Sequence, residues 1–356
     1  MFGVIEVSHA WRTLSERIAA EGGLTLLLGA SDSGKTTLAR WLLSTLTAAG
    51  RRVAFLDGDV GQSTLGPPAT AGLAFATAPP ADQPLHPISL RFVGAVSPAK
   101  HMLPLAVALK RLAEKAYAMG AEVLLVDTTG LVLGPLGRRL KFHKIELLAP
   151  HHLIALQREG ELEPILRLFE GRKGMAVFRL PISPQITPRT PQARRAYRAQ
   201  RFSDYFRSSS LVELSLNGIG IQGGWIHSGR PLDPIDLQDL SEDLRIQVVW
   251  GERVQDEAFL LVQGEPEAEG LSLARSRLGV SGVSITAIDT FRGLLLGLAD
   301  ANDELLALGL LQHLDPATGR LVCLTPLGDR AAIRNVHFGS LRLDPSGQEV
   351  ADAIAQ

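Results

Sequence analysis

The chain has 356 residues, of which 46% are hydrophobic and 21% charged, with a formal net charge of −1. This composition supplies apolar material for about two domains. It excludes a global field toward nucleic acid or membrane, so any polyanion must be met by local basic patches. One cysteine, Cys323, excludes an internal disulfide and reads as a buried strand residue, and the nine histidines show no metal-ligand spacing.

In chain order, residues 1–7 are expected to form a strand and 8–20 a helix capped by Ser8. The apolar run 24–28 reads as a buried strand and 37–49 as a helix, with Gly29-Ala30-Ser31-Asp32-Ser33-Gly34-Lys35-Thr36 between them. A strand at 52–56 runs into Asp57-Gly58-Asp59-Val60-Gly61-Gln62. The proline-rich stretch 67–87 reads as an irregular excursion. A strand at 91–96 and a helix at 103–119 lead to a strand at 122–126, which ends in Asp127-Thr128-Thr129-Gly130. Helices at 136–148 and 163–170 alternate with strands at 153–156 and 175–180. This alternation argues an α/β fold: a P-loop NTPase parallel sheet with helices on both faces.

After about residue 208 the pattern changes to short strand-like runs at 211–222, 246–250, 259–262, 283–288, 305–311 and 321–324. They imply a smaller, strand-rich, mixed C-terminal domain. The expected division is 1–208, including a lid at 188–206, and 209–356. No run approaches about 18 uninterrupted apolar residues, so no membrane helix is expected. The N-terminus has no signal-peptide core, and the expected compartment is the cytoplasm.

Every motif falls at the carboxyl end of a strand, where α/β sheets place their ligands. In Gly29–Thr36 the glycines let backbone N–H groups face phosphates, and the following helix N-terminus adds a partial positive charge. Lys35 would reach the β- and γ-phosphates and Thr36 would ligate Mg²⁺. The nucleotide-binding residues are therefore Gly29, Ala30, Ser31, Asp32, Ser33, Gly34, Lys35, Thr36 and Thr37. Asp57 and Asp59 are both candidates to manage the metal or to accept the proton of an attacking hydroxyl, and on a strand they share a face. Asp127–Gly130 reads either as a γ-phosphate switch or as a clamp for an acceptor. No lysine in the chain has Asp two residues later, so a guanine-reading motif is absent.

The segment 188–201 begins with prolines and continues as a helix with Arg194, Arg198 and Arg201 on one face. Stacked like charges suit an anionic partner. Arginines closing over a triphosphate would neutralise transition-state charge. The alternative is a solvated helix face. The same two readings, backbone tracking or a solvated face, hold for the basic cluster 138–144. Ser97-Pro98 and His101 are candidates to line an acceptor site.

Taken together, the Asp-Ser-Gly-Lys-Thr loop, Asp59-Val60-Gly61-Gln62, Phe92-Val93-Gly94 with Ser97-Pro98, Thr128-Thr129-Gly130 with Gly134, and the arginine helix running into Asp204-Tyr205-Phe206 resemble the polynucleotide 5′-hydroxyl kinase family. That family includes the RNA kinase subunit of the mRNA cleavage factor and the kinase used in ribosomal RNA processing. The resemblance spans 22–206 and extends more weakly to 305–324 and 336–343.

It implies transfer of a γ-phosphate from ATP or GTP, with Mg²⁺, to the 5′-hydroxyl of RNA or DNA. It also implies Asp59 as catalytic base and metal residue with Thr36, Gln62, Thr128, Thr129 and Gly130 at the acceptor, and Arg194 and Arg198 as the lid with Lys35. Leu131 stands where relatives carry a tryptophan that helps position the acceptor, and little chain precedes residue 22, which leaves the nucleotide base open. The alternatives are a nucleotide-binding scaffold subunit of an RNA-processing complex and a switch-type GTPase.

Overall fold

The computed structural model describes residues 7–76, 85–264 and 270–350. The chain divides into two compact units between Arg198 and Ala199. The expected strand at 1–7 lies almost wholly outside the described residues.

In the first unit the element order is α1 (His9–Glu21), β1 (Gly23–Gly29), α2 (Lys35–Ala48), β2 (Val53–Gly58), β3 (Thr70–Phe75), β4 (Ser89–Phe92), α3 (Met102–Ala118), β5 (Val123–Thr128), α4 (Gly134–Leu148), β6 (His152–Gln157), α5 (Glu163–Leu166) and β7 (Ala176–Pro181). α6 (Pro191–Phe206) carries the unit boundary. The strands form one sheet in the order β4-β3-β2-β5-β1-β6-β7. β2, β5, β1, β6 and β7 are parallel, while β3 and β4 add antiparallel to one edge.

Alternation along β1 explains the layering. Leu24, Leu26 and Leu28 pack with Leu105, Leu109 and Leu112 of α3 and Ile145 of α4. Leu27 packs the other way, with Leu14 and Ile18 of α1 and Leu38, Leu42 and Leu46 of α2. Successive side chains of a strand point to opposite faces, so a run that is apolar throughout requires a helix layer on each side.

The structure departs from expectation between β2 and β4. The stretch read as an irregular excursion contains β3, a buried strand of small residues, Thr70-Ala71-Gly72-Leu73-Ala74-Phe75. Its low β-propensity, bracketed by prolines, hides it from sequence pattern; residues 77–84 of the same stretch lie outside the described residues.

The second unit continues with β8 (Ser210–Ser215), β9 (Gly220–Gln222), β10 (Arg230–Pro231), α7 (Pro234–Leu244), β11 (Gln247–Val254), β12 (Glu257–Gln263), α8 (Gly270–Leu278), β13 (Gly282–Ala287), β14 (Leu294–Ala299), β15 (Leu305–Asp315), β16 (Arg320–Thr325), β17 (Asn335–Leu343) and β18 (Glu349–Val350). It holds two sheets, β10-β11-β12-β13 and the largely antiparallel β18-β17-β14-β15-β16-β8, with β9 beside β17. The run read as one strand at 211–222 is broken into β8 and β9 by a turn at Gly218, whose φ is +79°. Cys323 lies buried in β16, where the apolar surroundings push its thiol up to about 12.

Candidate active site

β1 is central, and its tip opens into the phosphate loop. Gly34 precedes α2 with φ +91°, a conformation that L side chains avoid. The loop is thereby turned so that the first N–H groups of α2 face outward with the helix dipole behind them. Lys35 is buried, and its ammonium donates to Gly29 O at 3.1 Å, Ala30 O at 2.7 Å and Ser33 Oγ at 3.4 Å. Thr36 donates its hydroxyl proton to Asp127 Oδ2 at 2.6 Å.

That last contact separates the aspartates. β5, which ends at Asp127-Thr128, is hydrogen-bonded directly to β1, whereas β2 lies one strand further out. The structure therefore brings Asp127 to Thr36, where the resemblance implied Asp59. Asp57 and Asp127 sit opposite each other in register on adjacent strands. Burial, reinforced by the charge of Asp127, pushes the Asp57 carboxyl up to about 6. Burial also raises Asp127, against the pull of Lys35 and Thr36.

Asp57 and Asp59 do not share a strand face, because β2 stops at Gly58. Asp57 Oδ2 accepts from Thr64 N at 2.5 Å, Thr64 Oγ1 at 2.9 Å, Leu65 N at 3.2 Å and Ser63 Oγ at 3.3 Å. It is the anchor of the following loop. Asp59 turns that loop by accepting from Gly61 N at 3.1 Å and Gln62 N at 3.2 Å, and it remains half-buried at the rim.

The acceptor-side residues are packed against the phosphate loop. A Cβ on Gly130 would lie 2.3 Å from both the N and the Oγ of Ser31, so only glycine fits there. Thr128 commits its hydroxyl to the fold, donating to Leu27 O at 2.8 Å and accepting from Lys141 Nζ at 2.8 Å. Thr129 Oγ1 is buried with no hydrogen-bond partner among the described residues. His101, a candidate for the acceptor site, is buried, and desolvation lowers its imidazole.

The arginine segment reaches the same place. Thr190 caps α6, accepting from Ala193 N at 3.1 Å, with Pro191 at the first helical position. Asp32 of the phosphate loop accepts from Arg189 N at 3.0 Å and pairs with Arg194 at 3.3 Å. Arg189 also donates to Gln62 Oε1 at 3.1 Å. Arg194 is half-buried, and Arg198 one turn further along is half-buried too. Asp32 adopts φ +54°, a conformation Asp tolerates better than most residues.

The basic cluster of α4 is divided. Arg138, Arg139 and His143 are exposed, but Lys141 and Lys144 are fully buried. For these two lysines neither backbone tracking nor a solvated face holds: they lie on the inner stripe of α4 with Leu140, Ile145 and Leu148. Lys141 Nζ donates to Thr128 Oγ1 and, at 2.5 Å, to Thr129 O. Beyond the Gly130 turn, Val132, Leu133, Gly134, Pro135, Arg138 and Glu161 line an open cleft of about 250 Å³.

Sequence reasoning did not find Asp127 as the partner of Thr36, nor Asp32 as the lid anchor. The apolar run Val123–Val126 ending in Asp127 carried the first, since an aspartate at the tip of a buried strand is what a P-loop metal site uses. Nothing local carried the second.

Residues 29–208 match the family model of the mRNA cleavage and polyadenylation factor CLP1 P-loop. The chain is similar to a polyribonucleotide 5′-hydroxyl-kinase of Pyrococcus horikoshii, 31% identical over 91% of this chain and 87% of that protein. It is also similar to one of Thermococcus kodakarensis, 33% identical over 91% and 89%. A chain in the solved wild-type Clp1p–Pcf11p complex aligns with a TM-score of 0.58 at 15% identity, covering 93% of this chain and 78% of that one; the likeness is one of fold. The chain belongs to the CLP1 P-loop family.

Proposed function

We propose that this protein is a polyribonucleotide 5′-hydroxyl kinase, moving the γ-phosphate of ATP or GTP onto the 5′-hydroxyl of RNA, and of DNA where the acceptor site admits it. The names of the archaeal relatives support this reading. The single observation that carries it is the meeting of the arginine helix with the phosphate loop, Arg194 on Asp32 at 3.3 Å, on the same side as the Asp59 turn through Arg189 and Gln62.

The residues divide the work as follows. Lys35 exchanges its loop carbonyls for the β- and γ-phosphate oxygens. Asp59 takes the proton of the acceptor 5′-hydroxyl as that oxygen bonds to the γ-phosphorus and the bond to the β,γ-bridging oxygen breaks. The nucleoside diphosphate leaves. Arg194 and Arg198 hold the charge that spreads over the transferring group. Thr129 and Gly130, with Gln62, bound the acceptor. Thr36 and Asp127 form a hard-oxygen pair that fits Mg²⁺. Bound there with the triphosphate, Mg²⁺ would neutralise phosphate charge. Lid and kinase core form one functional assignment, 1–208 with the lid at 188–206, leaving 209–356 as a separate domain.

The test is incubation with γ-labelled ATP or GTP and a 5′-hydroxyl oligoribonucleotide, with a DNA of the same sequence alongside. The label is expected at the 5′ terminus and only when acceptor is present. Nucleotide binding without transfer would favour a scaffold role, and phosphate release that ignores the acceptor would favour a switch GTPase; either result overturns the proposal.

A further inference from the structure

The acceptor side of the site rests on three consecutive residues, Thr128 at the end of β5 and then Thr129 and Gly130, and the fold grips them from two directions. From β1 and the phosphate loop, Leu27 O accepts the Thr128 hydroxyl proton at 2.8 Å, and a Cβ on Gly130 would stand 2.3 Å from Ser31 N and Oγ. From α4, Lys141 is fully buried, and its ammonium donates to Thr128 Oγ1 at 2.8 Å and to Thr129 O at 2.5 Å. One polar atom is left over between these grips: Thr129 Oγ1 is buried with no hydrogen-bond partner among the described residues. An unpaired buried hydroxyl costs the fold free energy, and a valine would fill the same space without that cost. The hydroxyl is better explained by a polar group of the substrate than by packing.

Lys141 decides where that hydroxyl stands. Lysine is among the residues least often fully buried, and this one shares the inner stripe of α4 with Leu140, Ile145 and Leu148. An apolar side chain at 141 would close α4 on the sheet equally well, but it could not bond two successive residues of the turn. Holding Thr129 O fixes the peptide plane that follows Thr129, and holding Thr128 Oγ1 fixes the residue before it. A β-branched side chain has few χ1 choices once its backbone is set. The two bonds from Lys141 therefore set the direction of the Thr129 hydroxyl as well.

We propose that Lys141 is a positioning residue for the acceptor: from within the fold it holds Thr129 so that the free hydroxyl of that residue meets the 5′-terminal nucleotide. This rests on the kinase reading, and the experiment separates the two. Wild type, Thr129→Val, Lys141→Met and the double variant are compared for nucleotide affinity by direct binding, for KM and kcat of end-labelling of a 5′-hydroxyl oligoribonucleotide, and for thermal unfolding. If wild type does not label the 5′ end, the kinase reading fails and the proposal with it. If wild type labels, the variants decide the proposal alone.

Each single variant is expected to lower kcat/KM for the oligonucleotide about tenfold or more, with nucleotide affinity within about threefold of wild type. Thr129→Val should not lower the melting temperature, because the hydroxyl it removes bonds nothing in the fold. The double variant should fall no more than about threefold below the weaker single variant, since both changes remove the same contact. Losses that multiply to about a hundredfold would mean that Lys141 acts elsewhere, and they overturn the proposal. So does a kcat/KM for Lys141→Met within about threefold of wild type. A merely structural lysine would lower nucleotide affinity too, because the turn it braces leans on β1 and the phosphate loop, and that result also overturns it. Should Lys141→Met fail to fold, Lys141→Gln, which keeps a donor, is measured in the same way; failure of both to fold makes the lysine a structural group and overturns the proposal equally.

Discussion

Lys35 and Lys144 are both buried lysines of the first unit, and they are held in opposite ways. Lys35 lies at the start of α2 with three oxygens around its ammonium. Lys144 lies in the middle of α4 with none among the described residues. The first is a group stored on carbonyls that phosphate oxygens can replace. The second has nothing to exchange, and its burial pushes it down to about 8 even with Asp59 and Asp127 favouring the charge. A satisfied cation adds little strain to the fold, whereas an unsatisfied one costs it stability.

The largest expected effect sharpens the first half of that contrast. Lys35→Ala should lower end-labelling by about 10³-fold or more, because the cation nearest the transferring group is lost. Stability should fall as well, since Gly29 O and Ser33 Oγ, which it leaves unpaired, are buried.

The second half is broken or kept by pH. A lysine lowered from 10.5 to about 8 costs the fold about 3 kcal/mol where both folded and unfolded chains are charged. That cost is fully present below pH 8 and disappears as the pH rises toward 10.5, because the folded state releases the proton first. Lys144→Met should therefore unfold at higher denaturant than wild type near pH 7, with the gap narrowing above pH 8. A gap that does not change with pH would mean that the ammonium is not the source of the cost.

Smaller effects follow at the lid. Arg198→Ala should lower kcat about 10²-fold with a lesser change in nucleotide affinity, since its contact tightens in the transition state. An unchanged kcat would remove it from the mechanism. Asp32→Asn should raise KM for the nucleotide by several-fold, roughly the worth of a charge-assisted bond, because Asn keeps the φ of +54° but weakens the pairing with Arg194. Smallest is Arg138→Ala at the cleft beyond Leu131, expected to raise KM for the oligonucleotide a few-fold, about one surface phosphate contact, with kcat intact.

The same contrast explains what could be read in advance. The sheet of the first unit was legible because β1, β2, β5 and β6 are continuous apolar runs, the first three ending in a motif. The phosphate loop was legible for the same reason: its residues are adjacent in sequence, so spacing alone encodes the geometry. Asp127 beside Thr36 was not, since those residues are far apart and meet only because β5 is inserted between β1 and β2. Lys141 and Lys144 were misread because Arg138-Arg139-Leu140-Lys141-Phe142-His143-Lys144 carries cations on every face of its helix. Composition cannot say which of them point inward.

In the second unit β14 and β17 went unread as strands, although 336–343 was part of the resemblance. Leu294–Ala299 has no polar alternation because it is buried on both sides. α7 and α8 were hidden among turn residues.

The most direct test compares wild type with Asp59→Asn in one end-labelling experiment, with nucleotide binding measured on both. Wild type should place the γ-phosphate on the 5′-hydroxyl of an oligoribonucleotide. Asp59→Asn should bind the triphosphate as well as wild type and transfer about 10²-fold less. Transfer by Asp59→Asn at the wild-type rate would contradict the account, because the proton would then be leaving by a route other than Asp59.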